Sequence, residues 1–175
     1  MKLHTRRQFI HRTAATSVAL AAPSILTAAN QPDKINLAFI GPGGMGMNHV
    51  RTFCTRTDLT FSAVCDPDST RAAAAAKTIQ ELTGQTPRIE KDMRRVLDDP
   101  GVQAVVIATP DHWHAPAAIL AAAAGKHVYV EKPCSHNVRE GRLMIEAARA
   151  HKVVMQVGTQ SRSTPHVVAA MEKLR

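Results

Sequence analysis

Apolar positions along this chain gather into short runs, and longer segments of helical periodicity separate them. Ile35 to Ile40 is apolar but for Asn36, Leu59 to Cys65 is a second run, and Val102 to Ala108 is the clearest of all. Runs this short, bounded by turn residues, read as strands of a parallel sheet buried on both faces. Weaker strand segments lie at 88–90, 127–130 and 153–157. Helical stretches fall between them. One covers Met45 to Thr55. The next is entered at Asp68 or Ser69, is built on Ala72 to Ala76, carries Lys77 and Glu81 at i,i+4 and stops at Gly84. Further helices are expected over Asp92–Leu97, over Pro116–Ala124 with Gly125 behind it, and over Asn137–His151. Thr164-Pro165 opens a last one, with proline in its first turn. Strand and helix alternate throughout, which predicts an α/β fold with a doubly wound parallel sheet.

The turn after the first run carries the first chemistry. Gly41-Pro42-Gly43-Gly44-Met45-Gly46 has G-x-G-x-x-G spacing between a strand and a helix. Gly41 suits the tight turn, Gly43 lets a pyrophosphate approach the backbone, and Gly46 lets the helix pack close to its strand. The helix would aim free N–H groups and its positive dipole end at phosphate. The second run ends in Asp66, twenty residues beyond Gly46. A dinucleotide fold puts there the carboxylate that grips the adenosine ribose. That carboxylate would repel a 2′-phosphate, so NAD is expected in preference to NADP. Arg71 reads as too far along its helix to counter it.

Charge alters the picture mainly at the N-terminus. The chain has a formal charge of +8. Residues 1–30 hold Lys2, Arg6, Arg7 and Arg12 and no acid, and the other 18 basic and 14 acidic residues are well mixed. No basic face for nucleic acid follows from this. Thr5-Arg6-Arg7-Gln8-Phe9-Ile10 instead resembles the twin-arginine export motif, with a mildly apolar stretch and small residues behind it. Residues 1–30 therefore read as a twin-arginine signal peptide recognised by the Tat machinery, with a periplasmic or otherwise exported product. The apolar stretch is too short and too rich in Thr, Ser and Pro for a stable membrane span. Cys54, Cys65 and Cys134 show no C-x-x-C spacing, so neither a disulfide framework nor a zinc site is indicated.

Four segments should meet outside the carboxyl ends of the strands: Gly41–Gly46, Asp66, Thr109-Pro110-Asp111-His112-Trp113-His114 and Glu131-Lys132-Pro133. With Gly125-Lys126-His127-Val128-Tyr129-Val130 and Gln156-Val157-Gly158-Thr159-Gln160, these pieces resemble the N-terminal half of the glucose–fructose oxidoreductase / inositol dehydrogenase (Gfo/Idh/MocA) family. The resemblance runs from Lys34 to the end, and Glu-Lys-Pro is its most specific part. It implies that Lys132 lies beside the nicotinamide and the reacting hydroxyl, where an ammonium stabilises a developing alkoxide. Glu131 would hold the nicotinamide ribose or position that lysine. Gly41, Gly43, Met45, Gly46, Thr109 and Pro110 would line the dinucleotide, as would Asp111, where the family often has Asn. His114 would sit at the helix start beside the cofactor. The Lys132–Pro133 bond is expected to be cis. His112 and His114 lack a third ligand at metal spacing, and Trp113 is either a packing residue or a cleft wall.

The expected organisation is a signal peptide over 1–30, a dinucleotide-binding Rossmann domain over 34–158, and a linking helix over 159–175. Family members continue into an antiparallel substrate domain, and that domain is absent from this sequence. The expectation is thus the NAD-binding part of an exported sugar or polyol oxidoreductase, a truncated chain inactive alone, with a homo-oligomer open for the full-length form. The alternatives are an NAD-dependent glycoside hydrolase of the same family and a non-catalytic nucleotide-binding module.

Overall fold

The computed structural model of the protein describes residues 34–174. The twin-arginine segment lies outside the described residues. Six strands, β1 (Ile35–Ile40), β2 (Leu59–Cys65), β3 (Arg88–Glu90), β4 (Ala104–Ile107), β5 (His127–Glu131) and β6 (Met155–Gly158), form one sheet in the order β3-β2-β1-β4-β5-β6. Every pairing is parallel. The chain winds outward from β1 through β2 to β3, then returns to lay β4 on the other side of β1. That reversal opens a crevice above the carboxyl ends of β1 and β4.

The helices are α1 (Gly44–Phe53), α2 (Ser69–Thr83), α3 (Met93–Leu97), α4 (Asp111–Ala123), α5 (Val138–Ala150) and α6 (Pro165–Lys173). Asp68 caps α2 by accepting from the Thr70 and Arg71 amides, and Asn137 caps α5 by accepting from Glu140 N at 3.0 Å. Helix α4 begins five residues before the expected Pro116. Residues of a first turn need no intrahelical acceptor, so Asp111 to His114 can start the helix, and Trp113 N donates to Pro110 O at 2.8 Å. Pro116 then removes one bond in the second turn. Burial of His114, Ala115, Ala117, Ala118, Ala121 and Ala122 on the sheet outweighs that loss. Residues 160–163 form a 3-10 turn before α6, which buries none of its residues.

Side chains of β1 alternate between two cores. Leu37 and Phe39 pack with Val50, Ala72, Ala75 and Ile79 of α1 and α2; Ala38 and Ile40 pack on the other face with Ala115, Ala118 and Met144. Strand β2 changes phase midway. Leu37 pairs with Phe61 but Ala38 pairs with Ala63, leaving Ser62 as a bulge. Leu59 and Phe61 consequently enter one core, and Ala63 and Cys65 the other. The bulge therefore sets the phase in which the strand delivers Asp66.

Candidate functional site

The turn between β1 and α1 is shaped by contact with the strand ends. Gly41 has φ +77, and a Cβ there would meet the Thr109 backbone at 2.8 Å. A Cβ on Gly46 would run into the Gly41 carbonyl. Gly43 differs: among the described residues the nearest atoms to its Cβ would be those of the Arg71 side chain, from 3.5 Å outward, an ordinary contact. Two glycines are thus required by the protein's own packing. The third leaves a surface of bare backbone at the start of a helix. The amides of Gly44, Met45 and Gly46 precede the first helical bond, in which Met47 donates to Gly43 O at 3.0 Å. Met45 itself is exposed.

A cleft of about 770 Å³ continues from this turn toward β2 and β3. Gly41, Asp66, Asp68, Arg71, Thr109, Pro110, His112 and Trp113 line it, together with Lys91 to Arg94 from the turn after β3 and the start of α3. Asp66 is 7% exposed, and its Oδ1 accepts from the Asp68 amide at 2.9 Å, which orients the carboxylate. Arg71 corrects the sequence expectation. One turn of helix brings its guanidinium back over Gly43, on the rim of the same cleft, while Nε lies 3.5 Å from Asp68 Oδ2. Trp113 is 47% exposed at the mouth, so it reads as a wall rather than as packing. The Thr109 hydroxyl is buried with no hydrogen-bond partner among the described residues.

Beyond β4 the arrangement is a buried polar network. Glu131, 4% exposed, ends β5, and its Oε1 lies 2.6 Å from Nε2 of His49 on α1. The same oxygen accepts from Gln160 Nε2 at 3.0 Å, and Oε2 accepts from the Lys132 amide at 3.0 Å. Tyr129 Oη donates to Gln160 Oε1 at 3.1 Å, and its ring meets that of His49 edge-on at 5.2 Å. Burial works against a charge on Glu131, but bonds from His49, Gln160 and the Lys132 amide together outweigh it and hold the carboxyl below its ordinary value. Burial, helped by that charge, pushes the Tyr129 hydroxyl up. Glu131 thus touches Lys132 through the backbone amide of that residue. The Lys132 side chain is exposed at the strand end, and the Lys132–Pro133 bond is cis.

His114 lies near the start of α4, as expected, and is buried. Its Nδ1–H donates to Pro133 O at 2.6 Å, tying the start of α4 to the Glu-Lys-Pro segment, and its Nε2 has no partner among the described residues. His112, by contrast, is exposed on the cleft rim, so the two rings serve different surroundings. Asp111 is exposed in the first turn of α4. Burial, with nearby acids adding to it, pushes the Cys65 thiol up to about 12, which makes it a core side chain and not a thiolate nucleophile. His49, Arg71, Lys91 and Arg94 are the site residues that pattern reading missed. His49 carried one signal: Gly46, His49, Val50 and Phe53 share the inward face of a helix, where a histidine needs a partner.

Comparison with known proteins adds to this geometry. The sequence model of the oxidoreductase family with an NAD-binding Rossmann fold (Gfo/Idh/MocA) matches residues 35–159. Levoglucosan dehydrogenase of Pseudarthrobacter phenanthrenivorans is 33% identical over 142 residues, covering 78% of this chain and 36% of that protein. A glycosyl hydrolase family 109 protein of Shewanella putrefaciens is 32% identical over 124 residues, covering 69% of this chain and 27% of the relative. The crystal structure of GenD2 from gentamicin A biosynthesis in complex with NAD superposes with a TM-score of 0.75 at 26% identity, covering 86% of this chain and 42% of that one. The chain thus spans about a third of the length of the curated relatives it matches.

Proposed function

Because this chain belongs to the Gfo/Idh/MocA oxidoreductase family and folds as its dinucleotide-binding Rossmann domain, we propose that it is the NAD-binding part of an enzyme that oxidises a sugar or polyol hydroxyl. The observation that carries the reading is Gly43. No packing among the described residues forbids a side chain there, so its bareness makes sense toward a phosphate.

Gly41, Gly43, Met45 and Gly46 would hold the pyrophosphate, with Arg71 adding a cation beside the turn. Asp66 would accept from the adenosine ribose hydroxyls, and Thr109 and Pro110 would border the nucleotide. NAD when bound supplies a hydride acceptor. Lys132 would hold a hydrogen bond to the substrate oxygen and offset its growing negative charge. Asp66 favours NAD by repelling a 2′-phosphate, although Arg71 and Lys91 on the same rim work the other way.

Trp113 is the sole tryptophan of the chain and lines the cleft, which supplies the test. Titrated with NADH, the chain should show quenched tryptophan emission with sensitised nicotinamide emission. NADPH should bind more weakly. Absence of any response to either nucleotide would sink the reading.

A glycoside hydrolase that uses the same hydride transfer transiently is the second reading, supported by likeness to the family 109 relative. Net NADH formation from a sugar, measured on a complete enzyme, favours the first; release of the sugar's substituent without net NADH favours the second. Export is part of the proposal too. Free dinucleotide is a cytoplasmic resource, and the Arg6-Arg7 segment fits a protein carried out folded with its cofactor bound.

A further inference from the structure

Strand order divides the dinucleotide cleft into two halves. The turn after β1 receives the pyrophosphate. The cleft toward β2 and β3 suits the adenosine, which leaves the ends of β4 and β5, with Lys132, for the nicotinamide. His49–Glu131 is the side-chain hydrogen bond that joins α1 to β5 among the described residues. It spans 82 positions of sequence and is buried at both ends. A buried pair of this kind pays desolvation on each partner, and an apolar pair of similar volume would hold the helix on the sheet about as well. What an apolar pair could not do is fix the Glu131 carboxylate, whose other oxygen takes the Lys132 amide.

We propose that His49 is a positioning residue, linking the phosphate-binding helix to the placement of Lys132. His49 stands one turn beyond Gly46, so a shift of α1 onto bound pyrophosphate moves its Nε2–H, and Glu131 Oε1 follows. Gln160 holds the same oxygen from the turn after β6, so the carboxylate is located by two elements and passes that location to the backbone of Lys132. The nicotinamide half is then assembled from the phosphate half rather than independently of it. This rests on the dinucleotide reading above.

The test compares NAD with ADP-ribose, which lacks the nicotinamide, on the 175-residue chain by calorimetry. The wild type should bind NAD more tightly than ADP-ribose. His49→Leu should lose that preference by about tenfold, the scale of one hydrogen bond to a charged group, while ADP-ribose affinity stays unchanged. His49→Gln, which keeps an N–H donor, should recover most of the preference. In a Lys132→Ala background, His49→Leu should have little further effect, because it acts through that residue. Equal loss of both ligands in His49→Leu, or fully additive losses in the double variant, would mark His49 as merely structural and overturn the proposal. Wild-type binding of both ligands with equal affinity would overturn it too. Should His49→Leu fail to fold, Gln160→Ala strips Glu131 Oε1 of its other donor and must give the same split. Binding of neither ligand by the folded wild type would fail the dinucleotide reading itself, and the positioning role with it.

Discussion

A Cβ at Gly46 would strike the Gly41 carbonyl, whereas one at Gly43 would rest against a flexible guanidinium. The two positions should therefore fail in different ways. Gly46→Ala is expected to cost about 1–3 kcal/mol of stability through overpacking, seen as a lower melting temperature. Gly43→Val should melt close to wild type and lose NAD and NADP together, because its side chain occupies the phosphate approach. A Gly43→Val variant that binds NAD normally in calorimetry would remove the phosphate-turn assignment. Asp66 makes a prediction of another kind. Asp66→Ala removes a charged acceptor from the ribose and a repulsion against a 2′-phosphate. NAD affinity should fall by about tenfold or more, and NADP should lose less. Parallel titrations with both nucleotides check it, and an unchanged ratio of affinities would show that Asp66 does not set the preference.

At the scale of elements, α1 and β5 are held together by groups that titrate. Glu131 has a folded value below its unfolded one, so its contribution to stability is present above the ordinary carboxylate range and is lost as pH falls through the folded value. Asp68, Asp92 and Asp99 are shifted the same way, by amide bonds at Asp68 and Asp99 and by the Arg94 side chain at Asp92; all three are exposed enough for solvent to mute the effect. Melting temperature should hold through neutral pH and drop below about pH 4.5, near the unperturbed glutamate value. Glu131→Gln should melt lower at pH 7 and show a shallower decline on acidification. Parallel acid profiles of the two proteins would contradict a stabilising charge on Glu131.

Across the whole molecule, the described residues gather a nucleotide cleft and one exposed lysine at the end of β5, while the matched segments make up 36% and 27% of the two relatives. The 175 residues are expected to bind NAD weakly and to form no NADH with sugars or polyols. Proximity and acid–base catalysis need a second wall that orients the substrate and takes its proton. Sugar-dependent NADH formation by the purified chain would mean that residues assigned to nucleotide contact complete the catalytic set. Export is tested at this scale as well. Replacing Arg6 and Arg7 by Lys should retain the protein in the cytoplasm, and unchanged secretion would refute the twin-arginine assignment.

The chain's local patterns were sufficient for everything that depends on neighbours in sequence. The limits of β1 and β2, the entry to α2 at Asp68 or Ser69, the glycine turn and the arrival of Asp66 at a strand end follow from apolar runs and turn chemistry within a few residues. Alternation of strand and helix was enough for a parallel doubly wound sheet, because crossover handedness leaves few other topologies. What tertiary structure decided involves residues distant in sequence or a phase that local pattern does not encode. The run Leu59 to Cys65 shows no sign of the bulge at Ser62, since either phase offers apolar side chains to a core, and only pairing with β1 selects one. The start of α4 at Asp111 depended on burial of His114 against the segment that carries Pro133. Arg71 entered the site because the turn of α2 folds it back over Gly43. His49 and Glu131 met because the chain lays down β2 and β3, returns to place β4 beside β1 and then adds β5 next to β4, a meeting that no spacing along the sequence expresses.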